Sequence, residues 1–466
     1  MSRGLGDVYK RQIEYYAAPQ AQPVTMNDEQ IAKTYKRARI DVFASCFIGY
    51  TVFYLTRKNI SVALPVLSSD LGFSNVELGI LGSALYFSYA IGKFINGVLA
   101  DKADANKFMV VSLLISSIAN ILFALSPLFM PAHIQFMGQS ALLLVMSFFW
   151  GVNGWFQSAG FPVCAKALTF WWSNKERGTV WSIWAASHQL GTCLVFLLAG
   201  YLIPRYGWQS AFIVPGILCI LSCFYIAKSM HDMPQSMGLP DVEEYKGCAS
   251  EEEQAVEHAD DSLSYFEILK KYIFFNPIMW TLVLSFIFVY IFRYGTEDWI
   301  IKYLVDFKGN TLEVATQKQT FLPLFGIAGV LLAGVMSDKM FNGRRMPVNI
   351  LFCVGLIVCL FGLMENSGHG LLSTIIDYVC LSGIGLFTAG PLIFIGGLCA
   401  VESSSKKVAA AATGFCGIFG YLGAMISGIG TGYFIDNFGW QSALWFWIVS
   451  AFLCIVILLP VYKKGL

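Results

Sequence analysis

The chain has 466 residues, of which 56% are hydrophobic, 15% aromatic and 13% charged, with a formal net charge of +1. A soluble domain carries about 25% charged residues, so a large soluble enzyme core is excluded, and neither nucleic acid nor a cofactor is expected as a partner. Apolar runs of about 20 residues, the length that crosses a hydrocarbon core of about 30 Å, recur throughout, so the fold class is an all-α membrane protein embedded in a lipid bilayer.

In chain order, residues 1–12 (M-S-R-G-L-G-D-V-Y-K-R-Q) are set aside. D-V-Y-K-R-Q is the translation of a transposon adapter used in library preparation, so this stretch reads as a sequencing artefact; a genuine polar tail would change nothing below. Residues 13–38 form a cytoplasmic N-terminal segment. An N-terminal half over 39–230 holds six spans, near 40–67, 77–100, 108–127, 139–170, 178–203 and 210–229. An acidic stretch over 231–271, with E-E-E at 251–253 and D-D at 260–261, reads as a disordered cytoplasmic linker. A C-terminal half over 272–462 holds six more spans, near 274–304, 319–337, 348–365, 371–400, 408–435 and 440–461, ahead of a short tail, 463–466.

With twelve spans, both termini and the alternating loops share one side. That side carries 19 lysines and arginines, and the opposite loops carry four: Arg205, Lys302, Lys308 and Lys318. The positive-inside rule therefore predicts cytoplasmic termini. Five further cations fall within spans: Arg57, Lys58, Lys93, Lys166 and Arg293. Of the 12 cysteines, all but Cys248 lie singly in apolar spans and read as small packing residues.

Three segments repeat at nearly constant spacing. G-V-L-A-D-K (97–102) returns as G-V-M-S-D-K (334–339), G-W-Q-S-A (207–211) as G-W-Q-S-A (439–443), and Y-L-T-R (54–57) as Y-I-F-R (290–293). This is an internal duplication. Because six spans separate the copies, equivalent helices cross in the same direction, which predicts two six-helix halves related by a pseudo-two-fold along the membrane normal, with substrate at their interface.

Arg57 and Arg293 sit at matching depth in spans one and seven, each with apolar residues beyond it. An arginine at the bilayer centre costs about 2.5–3.5 kcal/mol on insertion scales. Either the two snorkel to the outer interface or they face one central cavity from opposite halves, where two guanidinium groups suit a doubly charged oxyanion. Glu297 and Asp298 lie close enough in sequence to partner Arg293. Tyr54 and Tyr290 precede the arginines by three residues and share their helix faces. Tyr50 extends the first face, and Tyr89 with Lys93 forms a polar pair one turn apart in span two. Each tyrosine taken alone also suits an interface anchor. His188, the histidine inside a span, is either a packed residue or a group whose charge tunes anion affinity.

R-K-N (57–59), G-F-P-V-C-A-K (160–166), W-W-S-N-K-E-R-G (171–178) and F-G-Y-L-G (419–423) resemble, in order, signatures of the organophosphate:phosphate antiporter family of the major facilitator superfamily. G-x-L-A-D, with Gly97 and Asp101 and the second copy at Gly334 and Asp338, resembles that superfamily's conformational loop motif. N-P-I-M-W (276–280), S-D-K-M-F-N-G-R-R (337–345) and A-A-T-G-F-C-G-I-F-G-Y-L-G (411–423) are similar to the hexose-phosphate transporter and sensor branch. The resemblance implies that Arg57 and Arg293 bind phosphate, and that His188, Tyr50, Tyr54, Tyr89, Lys93, Tyr290 and Tyr421 serve substrate binding or gating. Two departures stand out. The hexose-phosphate transporter proper carries an aspartate and a lysine where Thr413 and Cys416 stand here, and glycerol-phosphate members carry a tyrosine where Ala389 stands.

The expectation is a secondary transporter of the bacterial inner membrane that exchanges a hexose phosphate, such as glucose 6-phosphate, for inorganic phosphate by alternating access. Glycerol 3-phosphate or another organophosphate is an alternative substrate. A rival of another class is a sensor of external hexose phosphate that signals through a partner histidine kinase. No metal cluster, nucleotide loop or nucleophile–base pair marks an enzyme. A proton-coupled symporter would want an unpaired membrane carboxylate, and Asp41, near the start of span one, is poorly placed for that.

Overall fold

A computed structural model describes residues 17–131, 134–136, 139–246, 265–366, 368, 370–404 and 409–462. The twelve set-aside residues, Cys248, the acidic runs 251–253 and 260–261, Lys406, Lys407 and the tail 463–466 lie outside the described residues.

Eleven helices among the described residues are long and apolar enough to cross a bilayer. They are span one (Asp28–Leu71), two (Asn75–Ala100), three (Ala105–Phe129), five (Glu176–Tyr206), six (Ser210–Ser229), seven (Pro277–Asp306), eight (Leu312–Met340), nine (Met346–Glu365), ten (Leu371–Gly397), eleven (Ala412–Phe438) and twelve (Trp440–Val461). Span four comes in two pieces, Ala141–Gln157 and Gly160–Trp171, joined by a turn at Ser158 and Ala159. A two-residue antiparallel pairing, Gln135–Phe136 against Gln139–Ser140, precedes it. Apart from that short pairing, the described residues form a helical membrane protein of two six-helix halves.

The helix ends follow from local chemistry. Asn27 with Gln30, and Ser74 with Glu77, close capping boxes at the starts of spans one and two. Asn276 caps span seven by accepting from the Ile278 N–H, and Pro277 occupies the first helical position, where its missing donor costs nothing. Both copies of G-W-Q-S-A turn the chain between spans through a glycine at positive φ, 79° at Gly207 and 80° at Gly439. The duplication is therefore structural as well as textual.

The halves close on each other at the end away from the termini. Asp436 of span eleven accepts from the backbone N–H groups of Asn75 and Val76 at the start of span two, and Ser83 Oγ donates to the Met425 carbonyl. A Cβ on Gly79 would lie 2.3 Å from the Gly428 carbonyl oxygen, so only glycine permits this approach of span two to span eleven. Span five meets span eight similarly, with Gly200 against Thr316 and Cys193 Sγ 3.8 Å from the Thr320 carbonyl.

Two expectations change. Residues 231–246, read as the start of a disordered linker, are docked under the N-terminal half. Buried Asp232 pairs with Lys166 at 2.8 Å and accepts from the Ala105 N–H, the Trp171 indole donates to the His231 carbonyl, and Tyr245 stacks on Tyr35 with ring centroids 4.3 Å apart. Lys166, an in-span cation by sequence, therefore has a structural partner. Secondly, Lys308 and Lys318 are not solvated loop charges. Both pair with Asp377, a carboxylate buried in span ten, and Lys302 pairs with Asp306. The 11 cysteines in spans are unbridged.

Candidate functional site

The site begins with a break in span one. Helix Asp28–Leu55 stops, Thr56, Arg57 and Lys58 are non-helical, and helix Asn59–Leu71 resumes. No proline or glycine stands there to cause it. The break is held by amides from neighbouring helices. The Thr56 carbonyl accepts from Asn120 Nδ2 and Asn153 Nδ2, both at 2.9 Å, and the Thr56 hydroxyl oxygen accepts from Gln157 at 3.2 Å. Asn59, the first residue of the second piece, accepts from the Ile60 N–H and donates to Asn120 Oδ1 and the Ala211 carbonyl. Backbone groups freed inside a bilayer must find such partners. Sequence reading placed Arg57 on a continuous helix; the structure places it in this braced break.

Arg57 is 4% exposed and has no carboxylate partner among the described residues. Its neighbours are aromatic. The guanidinium carbon stands 4.4 Å from the Tyr89 ring, 5.3 Å from Tyr54 and 6.0 Å from Tyr421, and Nη2 is 3.4 Å from the hydroxyls of Tyr294 and Tyr421. Among the described residues, Arg57 Nε has no hydrogen-bond partner. Cation–π contacts are worth up to about 2 kcal/mol each when desolvated. They keep the charge in place without neutralising it, and leave donors for an anion.

Arg293 differs from its symmetry mate. It lies on the unbroken helix of span seven, 8% exposed, and its Nε donates to Glu297 at 2.9 Å. Glu297 also pairs with Lys58 at 2.8 Å, and Lys58 pairs with Asp298 at 2.8 Å. Asp298 further accepts from Ser61 Oγ and the Tyr86 hydroxyl. The expected partnership of Glu297 with Arg293 holds, whereas Asp298 turns to Lys58 instead. Among the described residues, three cations (Arg57, Lys58, Arg293) thus face two carboxylates across the interface of the halves, and one positive charge, centred on Arg57, is unmatched.

The other sequence-selected residues gather round this core. Tyr290 and Tyr294 both face Arg293, at 5.8 and 5.1 Å, and Tyr290 meets Tyr421 with centroids 5.5 Å apart. On the other wall Tyr50, Tyr54 and His188 form one cluster: His188 is 5.3 Å from Tyr54 and 6.5 Å from Tyr50. Lys93 Nζ is 5.8 Å from the Tyr421 ring, has no ion pair among the described residues, and is only partly buried, as is His188. Exposure therefore rises from the arginines toward the end of the molecule that bears the termini. On the opposite side of Arg57 a cavity is lined by Tyr86, Asp298, Trp150, Trp299 and Gly428.

The loop-motif residues stand apart from this cluster, at the termini end. Gly97 and Gly334 have open space where a Cβ would go. Asp338 pairs with Arg345 at 2.7 Å, and the side chain of Asp101 lies outside the described residues. Much of W-W-S-N-K-E-R-G also serves structure: Glu176 pairs with Arg39 and Lys246, and Arg177 donates to the carbonyls of Trp172 and Thr169. Sequence reading gave no role to Lys58, Tyr86, Tyr294 or the buried amides. Lys58 was visible as an in-span cation, and Asn120, Asn153 and Gln157 as polar residues in apolar runs.

The family model described as Major Facilitator Superfamily matches residues 46–395. The chain is 37% identical over 446 residues to a "Probable hexose phosphate transport protein" of Chlamydia pneumoniae, covering 94% of each. It is 34% identical to a "Glycerol-3-phosphate transporter" of Bacillus subtilis, covering 94% of this chain and 96% of the relative. It is 32% identical to "Membrane sensor protein UhpC" of Escherichia coli strain K12, covering 96% and 98%. Among solved structures, a bacterial homolog of the human lysosomal transporter Spinster, inward-facing and unoccupied, superposes with a TM-score of 0.73 at 15% identity, covering 92% of this chain and 98% of that one. The chain belongs to the major facilitator superfamily.

Proposed function

We propose that this multi-pass member of the major facilitator superfamily is an antiporter that exchanges a sugar phosphate, with glucose 6-phosphate as the leading candidate, for inorganic phosphate across a bacterial inner membrane, with both termini cytoplasmic. The observation that carries the reading is Arg57: buried, ringed by tyrosines, without a carboxylate, and set across the interface from Arg293. A phosphate monoester carries about −1.5 to −2 charges at pH 7. Arg57 and Lys93 present two unmatched positive charges, and two guanidinium groups can grip its oxygens bidentately. The likeness to a hexose phosphate transport protein supports the same substrate class.

The mechanism follows from charge and position. The halves are closed away from the termini, so the anion enters from the cytoplasmic side, past Lys93 and His188, and binds between Arg57 and Arg293. It competes with Glu297 for Arg293, and Glu297 retains Lys58. To open the other side, spans one and seven must part at Lys58–Glu297 and Lys58–Asp298. Separating charges in a low-dielectric interior is costly unless another charge compensates. A bound dianion draws the two arginines together as that bridge opens, so the halves rock only when loaded. Exchange rather than net flux is the result.

The test is uptake of labelled glucose 6-phosphate into proteoliposomes holding the purified chain, with and without internal phosphate. Uptake that requires internal phosphate supports the reading; equal uptake into phosphate-free vesicles sinks it. A second reading, a sensor of external hexose phosphate acting through a partner histidine kinase, is favoured by the likeness to the UhpC sensor and by Thr413 and Cys416 in span eleven. Binding without flux in the same vesicles would select it.

A further inference from the structure

We propose that Phe161 and Trp181 form the platform on which the sugar ring of the transported phosphate ester stacks, and so set the preference for a ring over a short polyol. The inference rests on the antiport reading above and goes on to the part of the substrate that the arginines do not touch.

Phe161 lies in the first turn of the second piece of span four and is 38% exposed, although it sits in an aromatic cluster. Its ring is 5.9 Å from Trp181 at 76° and 5.7 Å from Trp184, and Trp181 is 5.4 Å from Trp184. Trp184 is fully buried and lies 4.8 Å from Tyr50, which belongs to the wall with Tyr54 and His188. Trp184 is thus the rigid backing, while Phe161 and the partly buried Trp181 are the layer in front of it. Phe161 stands where the two halves meet. Lys93 Nζ stands 6.0 Å from the Phe161 ring and 5.8 Å from the ring of Tyr421, which belongs to the other half.

The spacing fits a phosphate ester. Tyr89, beneath Arg57, and Lys93, beside Phe161, are one turn apart on span two, about 6 Å along the helix axis. A ring attached to a phosphate held at the arginines and pointing toward the termini therefore arrives at the level of Phe161 and Lys93. The C–H face of a pyranose is apolar and slightly positive and suits the negative face of an aromatic ring. Lys93 stands at its rim to meet sugar hydroxyls, in keeping with a site of apolar walls and a few placed polar groups. A three-carbon ester is too short to cover the platform.

The experiment uses proteoliposomes of the full chain loaded with labelled phosphate. Exchange is driven by external phosphate, glycerol 3-phosphate or glucose 6-phosphate, for wild type, Phe161→Ala, Trp181→Ala and Phe161→Tyr. We expect Phe161→Ala and Trp181→Ala to raise KM for glucose 6-phosphate about 3- to 10-fold, the equivalent of one aromatic contact. The KM values for phosphate and glycerol 3-phosphate shift less than twofold, and Phe161→Tyr behaves as wild type. Equal losses for all three substrates, or no change for glucose 6-phosphate, would overturn the platform while leaving antiport intact. A wild-type protein that exchanges no phosphate at all overturns the antiport reading itself, and the platform with it.

Discussion

Lys58 Nζ stands 2.8 Å from Glu297 Oε2 and 2.8 Å from Asp298 Oδ1, so a residue in the break of span one holds the middle of span seven. By the repeat, the counterpart of Lys58 is Tyr294, whose ring Lys58 covers at 4.6 Å. The two halves therefore contribute unlike groups at matching positions. One brings a lysine on a broken helix and the other brings carboxylates on a continuous one, and that inequality gives the interface its ion pairs.

Removing one member of a buried pair costs about 3–5 kcal/mol because the other is left uncompensated. Lys58→Ala is expected to lower the melting temperature in detergent clearly, and Lys58→Ala combined with Glu297→Gln and Asp298→Asn to regain part of it. A melting temperature unmoved by Lys58→Ala would remove the bridge from the account.

Arg57 makes the opposite case. Its charge is buried without a counter-charge, so Arg57→Gln is expected to leave the unliganded melting temperature unchanged or higher. The same variant should lose the stabilisation that phosphate gives, which amounts to about 2.7 kcal/mol at a concentration 100 times Kd. Thermal unfolding with and without phosphate reads both effects. A variant that still gains stability from phosphate would place the anion elsewhere.

The amide brace is testable separately. Asn120→Ala with Asn153→Ala strips both donors from the Thr56 carbonyl. A buried acceptor left unsatisfied costs about 1–3 kcal/mol. The double variant should melt lower than wild type and exchange poorly, because Arg57 is carried by the same three residues. Full exchange activity would show that the break positions itself.

Twelve spans, two halves and the arginine pair were readable, because hydropathy, in-span charge and a repeat at constant offset are properties of the chain alone. The break at Thr56–Lys58 was not. Nothing local disfavours helix there, and the partners that hold it come from spans three and four, 61 or more residues away. The pairing of Asp298 with Lys58 rather than Arg293 was hidden for the same reason, since it depends on how the halves approach. The docking of 231–246 is not legible in its polar composition, because it rests on the pairing of Asp232 with Lys166, 66 residues away.

The closure between spans two and eleven bears on conformational balance. Gly428 has no room for a side chain, with Ser83 Oγ 2.6 Å and the Gly79 carbonyl oxygen 3.0 Å from the place of a Cβ. Gly428→Val is expected to disfavour this closed arrangement. A cysteine introduced at Ser83 should then react faster with a membrane-impermeant thiol reagent added on the side away from the termini. Unchanged labelling would mean that the approach of these helices does not hold that side shut.

Phosphate efflux decides whether the halves rock only with a phosphate dianion bound. Proteoliposomes loaded with labelled phosphate are diluted into medium with or without external phosphate. Rapid loss of label is expected only when external phosphate is present, with no such loss for Arg57→Lys. Equally fast efflux into phosphate-free medium would contradict it, because the empty, doubly cationic cavity would then be returning across the membrane unaided.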